Sequence, residues 1–274
     1  MTHSNTILLA SDLTARSDRP TDRAFLAAEQ LSASVLLVHV VEGEGGDAKI
    51  EEHAREALES VIGQVAGRVE IQIRRGRVQH EILEVAAARE SILIVTGAAR
   101  FNSILDYVLG TAVDHLVRHS PVPVLVVKQR AQVPYRKLLV ATDFSECAGH
   151  ALETAAGLFP DAAITVWHNC HSAYEAFLDK DSTQAEIQQQ ADRDMKRFLE
   201  SAHLSDGARE RVSHIVDLGD LQGRLGSMLK EGRFDLLVLG THGRSGFAHA
   251  TIGSRASEML NAAACDVLMV RGSK

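Results

Sequence analysis

Residues 240–254 read GTHGRSGFAHATIGS and follow the apolar run LLVL at 236–239. Gly240 and Gly243 stand three apart, and after nine more residues come Gly253 and Ser254. Glycines let backbone N–H groups turn toward an anion without steric cost. Gly253-Ser254 then opens a helical pattern, whose first N–H groups and dipole favour a phosphate. The implied chemistry is a polyphosphate cradle built mostly of backbone, with the Ser254 hydroxyl as one more donor. The alternative is a plain loop with glycine caps. A second loop, ATDFS at 141–145, also ends an apolar run and carries Asp143. An aspartate there either meets a ligand or caps the following helix.

Other constellations are weaker. The loop is not a Walker A motif, because its lysine is missing and the glycine spacing differs. It is not a dinucleotide fingerprint either, because it follows the fourth strand rather than the first. HNCH at 168–171 places His168 and Cys170 on one side of a strand. A metal needs three or four convergent ligands, so a strand-end histidine with an ordinary partner is the simpler reading, and no metal site is assigned. Cys147, near a helix start, reads as an inert small residue. No nucleophile elbow is visible. Nothing placed near the expected phosphates resembles a strong general base, so no catalytic residue is expected, and at most slow hydrolysis of a bound polyphosphate.

The elements that must position these loops emerge from an internal repeat. NTILLASDLT at 5–14 resembles RKLLVATDFS at 136–145, so Asp12 corresponds to Asp143. VPVLVVK at 122–128 likewise matches CDVLMVR at 265–271. The reading is two similar domains, 1–130 and 131–274. Strand patterns fall at 6–10, 34–41, 68–74, 91–96 and 123–128, then at 137–142, 162–168, 211–217, 234–239 and 266–271. Helical patterns fall at 20–32, 48–64, 77–90, 110–119, 147–158, 172–203, 219–232 and 253–263. Such alternation predicts an α/β fold in each half, an open doubly wound five-stranded parallel sheet with helices on both faces. In these sheets ligands sit at the carboxyl ends of strands, at the switch point in strand order, where both loops fall.

At 45% apolar and 24% charged, with a net charge of −7, the 274-residue chain reads as soluble and globular. Acidity and 4% aromatics argue against a nucleic-acid groove. No apolar run approaches a membrane span, the N-terminus lacks a signal-peptide pattern, and three scattered cysteines suit a reducing compartment. A cytoplasmic protein is expected.

LVLGTHGRSGF, the IGS that follows, CDVLMVR and LLVATDFSECAGHALETAA together resemble the universal stress protein family, in its tandem form. The second copy matches the glycine pattern of the ATP-binding branch in full. The resemblance implies a stress-linked sensor or regulator that binds ATP, with Mg²⁺ accompanying it. It places Ala141, Thr142 and Asp143 beside the adenosine and Asn169 near the adenine, where the family usually has an aliphatic residue. Gly240, Thr241, Gly243, Gly253 and Ser254 would surround ribose and phosphates. A slow hydrolase and a nucleotide-free interaction scaffold are the alternatives. The first copy departs: Gly97 and Gly110-Thr111 remain, but Arg100 replaces the second glycine. Its site is expected to be degenerate. The segment 172–203 holds most of the second copy's extra residues and reads as a solvated helical face or a cover for the site. The last strands, which the family pairs between protomers, are expected to pair the two copies as an internal pseudo-dimer, with a homodimer as a further option.

Overall fold

The computed structural model describes residues 5–14, 17–43, 48–62, 69–98, 110–170, 180–230, 233–243 and 252–272. The chain divides into two compact units, Met1–Pro134 and Tyr135–Lys274. The first unit runs β1 (Thr6–Ser11), α1 (Asp18–Leu31), β2 (Ser34–Val41), α2 (Ala48–Ile62), β3 (Val69–Arg75), α3 (Val78–Ala88), β4 (Leu93–Gly97), α4 (Thr111–His119) and β5 (Val124–Val127). Its strands are parallel, in the order β3-β2-β1-β4-β5.

The second unit repeats the plan. It runs β6 (Lys137–Ala141), α5 (Glu146–Leu158), β7 (Ala163–Cys170), α6 (Lys180–Ser201), α7 (Asp206–Glu210), β8 (Val212–Leu218), α8 (Leu221–Leu229), β9 (Leu236–Gly240), α9 (Ser254–Ala262) and β10 (Asp266–Val270). The strands are parallel in the order β8-β7-β6-β9-β10. The Rossmann-like α/β fold expected from the strand–helix alternation is the one observed. The central strands are apolar along their whole length because helices cover both faces: Leu138, Leu139, Val140, Leu236, Leu237 and Val238 are fully buried.

In each unit the chain steps outward from the first strand, then returns to its other side. Right-handed crossovers therefore put the first two helices on one face and the later ones on the other. The loops after β6 and β9 leave the same ends of neighbouring strands in divergent directions, which opens a crevice between them. The register of Ala141 opposite Leu239 sets those two loops side by side.

Element ends differ from the sequence expectation by a few residues in several places, and two differences stand out. Helix α7 is a single extra turn, capped by the Ser205 hydroxyl accepting from the Ala208 N–H. It is too short to leave a periodic pattern. Strand β7 extends to Cys170, two residues beyond the expected end, because Asn169 and Cys170 keep parallel partners in Asp217 and Leu218. Within the expected helix 172–203, residues 172–179 lie outside the described ones, and α6 begins at Lys180.

Candidate functional site

The loop after β6 is wired by its own side chains. The Thr142 hydroxyl accepts from the Phe144 N–H at 2.9 Å, and Asp143 Oδ1 accepts from the Ser145 N–H at 3.1 Å. The Ser145 hydroxyl then accepts from the Ala148 N–H at 3.2 Å and caps α5. The helix cap is thus Ser145, not Asp143. Phe144 carries the turn with a left-handed φ of 63°, which costs a non-glycine residue free energy. Its ring lies 4.1 Å from that of His168 on β7. His168 Nδ1 donates to the Thr142 carbonyl at 2.7 Å, which fixes the tautomer and ties β7 to the loop.

The loop after β9 meets this one at Gly243. A Cβ added there would lie 2.5 Å from Asp143 Oδ2, so no side chain fits while the carboxylate holds its place. Gly240 has a different reason. A Cβ there would lie 3.0 Å from Cys147 Sγ and 3.1 Å from the Cys147 carbonyl carbon and oxygen. Gly240 is glycine so that α5 can pack directly on β9. Thr241 is fully buried and does not line the cavity. Its N–H donates to the Val270 carbonyl, and its own carbonyl accepts from the Gly253 N–H, both at 2.9 Å. That second bond seats the start of α9 beside the Gly243 backbone. Gly253 brings no side chain to cap α9, so the helix's first turn faces the crevice without a side-chain cap.

These loops enclose a cavity of about 720 Å³, within the range of small-molecule sites. Ala141, Thr142, Asp143 and Asn169 line it from β6 and β7 and the loop between β6 and α5. Gly240, Gly243, Gly253 and Ser254 line it from the other side. Eight of the nine residues named from the sequence therefore converge, and Thr241 stands behind them. The sequence left three wall groups without assigned residues, although it offered segment 172–203 as a cover for the site. Ile187, Gln190, Ala191 and Asp194 recur at helical spacing, so one face of α6 covers the cavity. Arg255 brings a cation to the first turn of α9. His242 lines the wall and shares a 2.8 Å hydrogen bond with the Thr241 hydroxyl through Nδ1. Burial, aided by the charge of Arg271, lowers its pKa and favours the neutral ring. Arg244 lies outside the described residues.

Two polar groups of this wall are buried without a hydrogen-bond partner among the described residues: both amide atoms of Asn169, and His242 Nε2. Buried orphans of this kind cost free energy unless something enters to meet them. Cys170 also lines the cavity, its thiol pKa raised by burial and by Asp192 and Asp217. Among the described residues no three His, Cys, Asp or Glu side chains gather as a metal site. His171 lies outside them.

The first unit keeps the scaffold but changes the wiring. His39 Nδ1 donates to the Ser11 carbonyl at 2.9 Å, the counterpart of His168 on Thr142, and Leu13 carries the left-handed φ at 59°. A cavity of about 750 Å³ lies at the same strand ends, bordered by Asp12, His39, Gly97 and Gly110. Asp12, however, takes more bonds from its own loop than the one Asp143 takes from Ser145. Its Oδ1 accepts from the Thr14 N–H at 3.0 Å, the Thr14 hydroxyl at 2.8 Å and the Ser17 hydroxyl at 2.7 Å. Burial works to raise this carboxyl, but the bonds from Ser17 and Thr14 outweigh it and hold the pKa below its ordinary value. Arg100 lies outside the described residues.

Comparison with known proteins adds a family. The profile of the universal stress protein family matches residues 3–128 and again 134–271. A universal stress protein of Archaeoglobus fulgidus superposes with a TM-score of 0.70 at 19% identity, over 98% of this chain and 99% of that one. A Pseudomonas aeruginosa PAO1 protein described as functionally unknown superposes with a TM-score of 0.65 at 20% identity, over 98% of this chain and 93% of that one. At such identities the likeness is one of fold. No protein with a curated description matches the chain. No helix among the described residues is long and apolar enough to cross a membrane.

Proposed function

The chain belongs to the universal stress protein family, and from that premise we propose that its second unit binds ATP and that the protein serves as a cytoplasmic stress-response sensor or regulator. The observation that carries this reading is the convergence at one cavity of three features. These are the Asp143 loop, a glycine at 243 whose added Cβ would meet the Asp143 carboxylate, and the α9 N-terminus without a side-chain cap. Polyphosphate would lie against Gly243, Gly253 and Ser254, where backbone N–H groups and the helix dipole favour negative charge. Arg255 adds a formal cation at that end. Asp143 would take ribose hydroxyls, since a carboxylate accepts hydrogen bonds but repels phosphate. The apolar walls from Ala141, Ile187 and Leu239 suit a flat base. Mg²⁺ would travel with the triphosphate, held chiefly by phosphate oxygens and water.

Titration calorimetry with ATP-Mg tests the reading, with wild type beside Gly243→Arg, which copies the first unit's Arg100 into the second. About one ATP per chain, lost in the variant, is the expected result. Failure of the wild type to bind, or binding that survives the substitution, would overturn it.

A further inference from the structure

The first unit's cavity keeps the place of the second unit's but not its chemistry. Its wall is largely aliphatic: Val38 and Val41 on β2, Val78 and Ile82 on α3, and Val113 and Leu116 on α4. The internal repeat shows what a phosphate would miss. Gly110-Thr111 corresponds to Gly253-Ser254, so Ala112 stands where α9 carries Arg255. No lysine or arginine lines this cavity among the described residues.

The polar groups of the wall are largely spent on one another. The Ser17 hydroxyl donates to Asp12 Oδ1 at 2.7 Å, and the same oxygen takes two bonds from Thr14. His39 Nδ1 donates to the Ser11 carbonyl at 2.9 Å, and the Ser11 hydroxyl accepts from the Leu13 N–H at 3.3 Å. The α4 N-terminus keeps Gly110 and has no side-chain cap, yet the carboxylates of Asp12 and Glu42 border the cavity and oppose an anion there. Both carboxylates are exposed, so water screens them and neither is a strong partner for a cation. Against this wall a charged ligand would lose its hydration without a matching group to replace it.

We propose that the first unit's cavity is a second ligand site, for an uncharged and mainly apolar small molecule rather than a nucleotide. Its volume of about 750 Å³ suits a small organic molecule. Removal of aliphatic surface from water drives the binding. The proposal does not depend on ATP binding in the second unit.

The test uses the full chain and N-phenyl-1-naphthylamine, an uncharged fluorophore that brightens on leaving water. Ala112→Arg and Val78→Asp place opposite charges on two walls. Both positions are half-buried, and Val78 is the first residue of α3, where an acid is tolerated. Circular dichroism checks folding, and should one variant not fold, the other decides. Wild type is expected to bind the probe, and either variant to bind it about tenfold more weakly, because each introduced charge must lose water to admit it. The share of signal that the variants remove should survive addition of ATP-Mg. 1-Octanol should displace the probe at lower concentration than octanoate or octylamine. Any of four results overturns the proposal: no probe binding in wild type, unchanged binding in a folded variant, displacement of that share by ATP-Mg, or preference for octanoate or octylamine over 1-octanol.

Discussion

The contact between Asp143 and Gly243 makes the sharpest prediction. Alanine at 243 would place its Cβ 2.5 Å from Asp143 Oδ2, against 3.4 Å or more for an ordinary contact. The carboxylate must retreat by about 0.9 Å. Its other oxygen accepts from the Ser145 N–H at 3.1 Å, so the retreat works against that bond. A hydrogen bond to a charged group contributes about 1.5–3 kcal/mol. Asp143 is partly exposed, so Gly243→Ala should cost about 1–2 kcal/mol. Trp167 is the only tryptophan and lies buried in the second unit, so urea unfolding followed by its fluorescence reports that unit alone. In an Asp143→Ala background the obstructing oxygen is gone. Gly243→Ala should then be nearly neutral, leaving a coupling energy of about 1 kcal/mol or more. Equal cost of Gly243→Ala in both backgrounds would refute the reasoning, because the penalty would then belong to backbone conformation rather than to the carboxylate.

Two further outcomes follow from neighbouring geometry. Gly240→Ala should destabilise the second unit by about 1–3 kcal/mol, since it overpacks α5 against β9. Cys147→Ala should rescue only part of that loss, because the carbonyl carbon and oxygen of residue 147 remain 3.1 Å away; full rescue seen by Trp167 fluorescence would assign the conflict to sulfur alone. In the first unit, the lowered pKa of Asp12 means that its ionised form is favoured by folding. Its stabilisation is complete above the ordinary carboxyl pKa and is lost as pH falls through the depressed folded value. Asp12→Asn should therefore be less stable than wild type at pH 7, and the gap should narrow as pH drops through the carboxylate range. Hydrogen exchange of β1 amides measures this, and a gap independent of pH would rule out an ionic role.

The strands and helices were legible because their signals are local. An apolar run such as LLVL, interrupted by glycine and followed by a helical period, needs no partner to be recognised. The repeat placed Asp12 over Asp143, and strand–helix alternation sent both loops to the carboxyl ends of parallel strands, where a ligand crevice belongs. Local pattern could not assign the glycines their separate reasons. Gly240 answers to Cys147 and Gly243 to Asp143, residues about a hundred positions away that meet only through the β6–β9 register. Nor could it separate Asp12 from Asp143: each accepts from the N–H two residues on, yet Asp12 also takes the Thr14 and Ser17 hydroxyls of its own loop. The unpaired amide of Asn169 and the face of α6 across the cavity belong to the same class. Sequence alone determined the order of elements and the ends of the strands at which a site could form. Tertiary structure decided which atoms meet there, because hydrogen-bond satisfaction and steric exclusion depend on neighbours that register and crossovers bring together, not on neighbours along the chain.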